Sequence, residues 1–139
     1  MRSIRKISIQ NSMRVMKMYS KKVMEMFTHP KNVGEIKNPD GVGTVGNPVC
    51  GDLLTIYLKI DKKTSKIKDI KFETLGCAAA IAASDMICQL SIGRTLEQSI
   101  KITFKDVSDE LGVLPPLKIH CAQLVTEALR DAINNYHPA

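Results

Sequence analysis

Three of the four cysteines, Cys50, Cys77 and Cys121, lie where the sequence indicates a change of secondary structure. A cysteine at the end of an element is poorly placed for core packing, so three of them together are better explained as ligands. Asp52 and His120 lie close to the first and the third of these cysteines and add an oxygen and an imidazole nitrogen to the set. Thiolate and imidazole ligands suit zinc and iron–sulfur clusters alike, and the residue types alone leave both open.

Asp52 makes this set of ligands unusual, because it places a carboxylate among thiolates. Oxygen binds iron less tenaciously than sulfur, so a site with an aspartate ligand is expected to release its metal easily. Easy release suits a carrier better than an electron-transfer protein. The alternative is structural, with Asp52 capping a turn or beginning a strand.

A proline segment stands directly before the third cysteine: Leu114, Pro115, Pro116, Leu117 and Lys118. Two consecutive prolines exclude a helix and favour an extended, pre-ordered chain. Apolar residues then recur at a helical spacing from Ile119 to Ile133, which places His120 and Cys121 in the first turn of an amphipathic helix. Unpaired N–H groups at that end of a helix favour a thiolate, and Lys118 can add to the effect.

Two further residues could be ligands by type but are predicted to be structural. Cys88 follows Cys77 by eleven residues on one predicted helix, which separates them by about 16 Å. We therefore expect Cys88 in the core. His29 precedes a proline and is expected to end a short helix.

The elements that position these residues can be predicted from periodicity and caps. The strands are expected at 53–60 and 67–75 as an antiparallel hairpin turning at 61–66, with at most a further short strand at 43–46. Helices are expected at 21–27 capped by Ser20, at 78–92, at 95–100, at 105–111 closed by Gly112, and after the proline segment; Thr95 and Thr103 are expected to cap the two short helices. We therefore predict an α+β fold, a small antiparallel three-stranded sheet packed by several helices.

The net charge of +6 lies mostly at the N-terminus, where residues 1–17 hold five basic residues and no acidic one. A second basic cluster falls on the predicted hairpin and comprises Lys59, Lys62, Lys63, Lys66, Lys68 and Lys71. Only Phe72 is nearby for base stacking, so we expect no nucleic-acid partner. A solvated hairpin is favoured, with docking of an acidic protein as the alternative.

Length and composition also predict the number of domains and the cellular compartment. Residues 18–139 are predicted to form one domain, and no run approaches the roughly 18 apolar residues of a membrane span. The thiols are expected to be reduced, as in the cytoplasm. Residues 1–17 are basic and contain serines, so we treat them as an N-terminal extension: either a mitochondrial transit peptide, which would imply the matrix, or an early start codon before Met18.

Five pieces of the chain together resemble one family, the IscU/NifU-type iron–sulfur cluster assembly scaffolds. The pieces are Tyr19-Ser20-Lys21-Lys22-Val23, Asn32-Val33-Gly34, Val45 to Asp52, Thr74-Leu75-Gly76-Cys77, and Leu114 to Cys121. Each is weak alone, but their order and spacing are specific, and the resemblance extends from about Met18 to Tyr136.

The resemblance implies a non-catalytic scaffold that assembles a [2Fe–2S] cluster from iron ions and passes it on. Cys50, Cys77 and Cys121 would be cluster ligands and sulfur acceptors, Asp52 would control ligation and release, and His120 would be an alternative ligand or a proton acceptor. The implied partners are a cysteine desulfurase that supplies persulfide, a ferredoxin or other electron donor, and apo-proteins that receive the cluster. The proline segment would bind a DnaK-type chaperone and its J-domain partner.

The main alternative is a zinc-dependent sulfur acceptor, as in the SufU branch of the same superfamily, and a structural zinc module is a third. The SufU branch typically has an insertion between its second and third cysteines and lacks both the histidine and the proline segment. This chain has both, so the scaffold is favoured, although zinc can occupy the same ligands in an isolated sample. The chain departs from the family after Cys77, where alanines replace the usual glycine and serines.

Overall fold

In the computed structural model, residues 20–46, 53–75, 78–112 and 119–136 are described. Five helices and three strands occur within them, and the order of all the elements is α1 (Lys21–Thr28), β1 (Gly41–Val45), β2 (Leu54–Asp61), β3 (Lys66–Thr74), α2 (Ala78–Ser91), α3 (Leu96–Ile100), α4 (Phe104–Leu111) and α5 (Ile119–Asn134). The predicted α+β class is confirmed. Within the described ranges, no helix combines the length and the apolar character needed to cross a membrane.

The sheet is antiparallel throughout, in the order β1-β2-β3. Its inner face is built by alternation, since Leu54, Ile56, Leu58 and Ile60 are all buried while the residues between them are not. Ile70 and Phe72 of β3 face the same core, as predicted. A register shift between Lys59 and Ile60 also turns Ile67 inward. The sheet therefore has one buried face, and α2 and α5 pack on it.

Side-chain caps fix the starts of the short helices. Ser20 accepts from the Val23 N–H, and Thr95 and Thr103 form capping boxes with Gln98 and Asp106. The predicted caps are confirmed, and Gly112 ends α4 with a φ of 87°. The predicted boundaries needed shifts of one or two residues, the largest being in β1, which begins at Gly41 rather than Gly43.

Helix α5 lies directly on the backbone of β1, because two glycines of the strand leave no side chain between them. A Cβ at Gly43 would lie 2.3 Å from the Ala128 oxygen, and one at Gly41 would lie 2.4 Å from the Ala132 oxygen. Ala128 and Ala132 are themselves fully buried. Glycine is therefore required at both positions by close approach of two backbones.

Both edges of the sheet are covered. Beside β1, the Asp131 carboxylate accepts from the Thr44 N–H at 3.1 Å, and the Asn135 amide donates to the Val42 oxygen at 2.8 Å. Beside β3, the backbone of Asn32 and Gly34 bonds to Phe72, and that of Gly93 and Arg94 bonds to Ile67. The outward backbone groups at these positions are thus satisfied within the chain.

Asp85 is a fully buried carboxylate of α2 that holds the loop beside β3. One oxygen accepts from the Lys31 N–H at 2.9 Å, from the Asn32 N–H at 2.8 Å and from the Asn32 amide at 3.0 Å. The other oxygen accepts from the Gln89 amide at 3.0 Å. Because Asn32 also bonds to Phe72, this carboxylate joins α2 to the edge of the sheet.

We expect Asp85→Ala to lower the free energy of unfolding by about 2–3 kcal/mol, because it leaves the loop donors without an acceptor. Urea denaturation followed by circular dichroism measures this loss. The matched control is Ser84→Ala, since the buried Ser84 hydroxyl only donates to the Ala80 oxygen within its own helix. Equal losses in the two variants would contradict the role given to Asp85.

Candidate functional site

The chain segments that carry three of the predicted ligands are connected to the strands at one end of the sheet. Val45, the last residue of β1, pairs with Leu54, the first residue of β2, and Leu54 pairs in turn with Thr74, the last residue of β3. The connection that carries Cys50 and Asp52 therefore leaves and returns at this end, and the connection that carries Cys77 leaves from it. We call this end of the sheet the site end.

Helix α2 also begins at the site end. Asn32 bonds to Phe72 of β3 and to Asp85 of α2, whereas Ile67, nearer the start of β3, bonds to Gly93 and Arg94 beyond the end of α2. Helix α2 therefore runs antiparallel to β3. Its first residue, Ala78, follows Cys77 and lies toward Thr74.

Helix α5 begins at the same end. Gly41 meets α5 at Ala132 and Tyr136, and Gly43 meets it one turn earlier, at Ala128 and Ala132. The strand thus runs toward the start of the helix. The first turn of α5, which holds His120 and Cys121, consequently lies at the end where β1 finishes.

Among the predicted ligands, the structure describes Cys121 completely and His120 by its backbone alone. For the other predicted ligands it describes only neighbouring parts of the chain. Cys121 is the third residue of α5, and the backbone of His120 is the second. Cys50, Asp52, Cys77 and the proline segment lie outside the described residues. Within the described residues, no three His, Cys, Asp or Glu side chains lie close enough together to hold a metal ion. The proposed ligand set thus stays a prediction that the chain topology favours.

Cys121 and Cys88 are both buried, at 3% and 0% exposure. Cys88 is a core residue, as predicted, and burial, with a smaller contribution from the charge of Asp85, raises the pKa of its thiol well above the usual value. The expectation that a cysteine at the end of an element avoids the core does not hold for Cys121. At 3% exposure its sulfur can reach a large ligand only if neighbouring chain moves.

Two helix N-termini at one end make a favourable place for negative charge. The first turns of α2 and α5 contain no acidic residue that would offset the partial positive charge of the backbone N–H groups. Thiolates and other anionic ligands are therefore favoured at the site end.

His29 is a structural residue at the other kind of helix end. It caps the C-terminus of α1, and its Nδ1 lies 3.0 Å from the Thr28 hydroxyl, so its predicted role at a helix end is confirmed.

An exposed leucine at the site end was not singled out from the sequence. Leu75 is 74% exposed and follows the last residue of β3. With Leu53, Thr55, Glu73 and Thr74 it lines an open cleft of about 300 Å³. The sequence does contain a signal for this exposure. Side chains alternate between the two faces along a strand, so Leu75, three residues after the buried Phe72, falls on the outward face.

A three-stranded sheet with helices on its inner face and cysteine-bearing connections at one end defines a small α+β domain that can present soft ligands at that end. The chain belongs to the NifU-like N-terminal domain family, whose sequence profile matches residues 18–139. The predicted IscU/NifU relationship is thereby confirmed.

Named relatives agree with this assignment. The chain is 56% identical over 119 residues to the iron–sulfur cluster assembly scaffold protein IscU 1 of Archaeoglobus fulgidus, covering 86% of this chain and 76% of that protein. It is 36% identical over 141 residues to the mitochondrial iron sulfur cluster assembly protein 1 of Debaryomyces hansenii, covering 98% of this chain and 78% of the relative.

Solved structures show the same fold. A crystal structure described as a putative iron–sulfur cluster assembly scaffold protein for the SUF system, from Fervidobacterium islandicum AW-1, has a TM-score of 0.68 and 25% identity. The match covers 84% of this chain and 97% of that one.

Proposed function

We propose that this protein is a scaffold on which a [2Fe–2S] cluster is assembled and from which it passes to recipient proteins. The observation that carries the proposal is the convergence of the strand ends and two helix starts on the site end. Those elements flank Cys50, Asp52 and Cys77 and hold Cys121 itself. The 56% identity to a named scaffold supports the same conclusion.

The cluster is the cargo of this reaction, and its chemistry fits the proposed ligands. Thiolates hold iron–sulfur clusters, while the oxygen of Asp52 makes one ligand weaker and so favours release. His120, next to Cys121, would serve as an alternative ligand or accept a proton. Sulfur would arrive as persulfide from a cysteine desulfurase, and each persulfide sulfur requires two electrons to become sulfide. An electron donor such as a ferredoxin would supply them.

A zinc-dependent sulfur acceptor is the second candidate, because the residue types of the proposed site suit zinc as well as an iron–sulfur cluster. The same thiolates and carboxylate would then hold zinc. His120 and the proline segment from Leu114 to Lys118 favour the scaffold, since an extended segment loses little entropy when it enters the peptide groove of a chaperone.

The deciding experiment is anaerobic reconstitution with iron, cysteine and a cysteine desulfurase, followed by transfer to an apo-ferredoxin. We expect visible absorption from a cluster and then its appearance in the ferredoxin. Binding of zinc with no cluster under these conditions would overturn the scaffold proposal and favour the zinc-dependent acceptor.

We expect Asp52→Ala to retain its cluster at least about tenfold longer than the parent, because the weakest ligand no longer provides a route for release. The measurement is the decay of cluster absorbance after mixing with an apo-acceptor. Asp61→Ala is the control, since Asp61 lies at the opposite end of β2. Equal or faster loss from Asp52→Ala would contradict the role given to Asp52.

A further inference from the structure

The end of the sheet opposite the site end carries a rigid basic hairpin. Four exposed lysines, bounded in the chain by Asp61 and Asp69, occupy the turn and the start of β3: Lys62, Lys63, Lys66 and Lys68. The turn is fixed to the body of the protein, because the Leu96 N–H donates to the Ser65 oxygen at 3.1 Å and the Ile67 N–H donates to the Arg94 oxygen at 2.8 Å. We call these four residues the basic hairpin.

An acidic cleft lies at the same end of the molecule. It has a volume of about 280 Å³ and is lined by Leu90, Arg94, Ile102, Asp106, Asp109 and Glu110. Among the described residues the one ion pair joins Lys59 to Asp40 at 3.9 Å, so none of these carboxylates has a described ion-pair partner. Three cations offset part of their charge: Arg94 in the lining, Lys105 next to Asp106, and Arg130, which donates to the Ile102 oxygen at 3.3 Å.

The basic hairpin and the acidic cleft are neighbours. Arg94 lines the cleft and also bonds to Ile67, next to the hairpin lysines. Two exposed apolar side chains are close in the chain to residues that line the cleft: Ile92, 48% exposed, is two residues before Arg94, and Phe104, 41% exposed, lies between Ile102 and Asp106. The surface thus has the hairpin lysines on one side and the carboxylates of Asp106, Asp109 and Glu110 on the other.

Adjacent patches of opposite charge are complementary to a copy of themselves rotated by a two-fold axis, because each positive patch then faces the negative patch of the other copy. We propose that this end of the protein is a dimerisation surface for a second copy of the chain, with the basic hairpin of each protomer against the acidic cleft of the other. The surface is about 23 Å from the site end, along the eight residues of β2. The dimer leaves both site ends free.

The test measures the mass in solution of the full-length apo-protein by sedimentation equilibrium. We expect a dimer whose dissociation constant rises at least tenfold between about 0.1 M and about 1 M salt, because the Debye length falls from about 10 Å to about 3 Å. Lys66→Glu with Lys68→Glu should weaken the dimer at least about a hundredfold, and so should Asp109→Lys with Glu110→Lys. A monomer at every concentration, or a dimer insensitive to salt, would overturn the proposal.

An equimolar mixture of the two variants separates the proposed contact from damage to the fold. In the mixed dimer the acidic side chains introduced at positions 66 and 68 face the basic ones introduced at 109 and 110, and the unaltered hairpin faces the unaltered cleft, so we expect dimers to return in the mixture although each variant alone is monomeric. If the mixture stays monomeric, the two patches do not face each other, and the proposal fails. A dimer unchanged in both variants would place the interface elsewhere. None of these readouts involves a cluster, so they are independent of the proposed function.

Discussion

Cys121→Ala is expected to abolish cluster assembly while leaving the protein folded. The thiol of Cys121 is the one proposed ligand that the structure describes in full, in the first turn of α5 at the site end. Replacing a residue that only orients a metal ligand already costs roughly 10- to 100-fold. Losing a ligand itself should therefore reduce the yield of cluster by at least about 100-fold, measured as visible absorbance after anaerobic reconstitution.

The matched control is Cys88→Ala, because Cys88 is also a buried core cysteine in a helix but lies near the last turn of α2, away from the site end. This variant should lose roughly 1–3 kcal/mol of stability and still assemble a cluster. Circular dichroism and urea denaturation would show whether the two variants are destabilised to a similar extent. If Cys121→Ala yields as much cluster per folded protein as Cys88→Ala, Cys121 is not a ligand.

Gly43→Val should cost at least about 4 kcal/mol of folding free energy, above the roughly 1–3 kcal/mol usual for overpacking. The first added carbon alone would lie 2.3 Å from the Ala128 oxygen and 2.4 Å from the Ala132 nitrogen. Both atoms belong to the backbone of α5, so no side chain can rotate away and the helix itself must move. Urea denaturation measures the loss.

Thr44→Ala provides the control for this strand, since Thr44 is exposed on the opposite face and its hydroxyl contacts only the Thr55 hydroxyl, at 3.2 Å. We expect its stability to fall by less than about 1 kcal/mol. A Gly43→Val protein as stable as Thr44→Ala would mean that α5 does not pack against β1 as described.

Local signals in the sequence predicted most of the fold. The alternation of apolar residues in β2 and the caps at Thr95 and Thr103 each depend on neighbouring residues, and all are confirmed. The start of β1 was less predictable, because glycine has a low intrinsic preference for strands. Gly41 and Gly43 are strand residues because they pair with Leu58 and Ile56 of β2. They are glycines because α5, more than 80 residues further along the chain, approaches their backbone.

The candidate site could be predicted only in part, for a similar reason. Ligand types and their positions at element ends can be read from the sequence, whereas burial depends on tertiary packing. Cys121 therefore proved to be a core residue although it lies in the first turn of a helix. The role of Asp85 could not be predicted from its alanine-rich helix, because its partners at Lys31 and Asn32 are more than 50 residues away in the chain.

The hydrogen bonds along both edges of the sheet affect whether the protein would aggregate when it opens locally. If Cys121 binds a cluster, as proposed, part of the chain at the site end would have to move, and a partly opened β protein is normally at risk of aggregation through intermolecular strand addition. Here Asp131 and Asn135 hydrogen-bond to the edge strand β1. Asn32, Gly34 and the turn at Gly93 hydrogen-bond to the other edge strand, β3. If the proposed function holds, loading and unloading of a cluster would leave these edge positions paired within the chain, which reduces the risk of intermolecular strand addition.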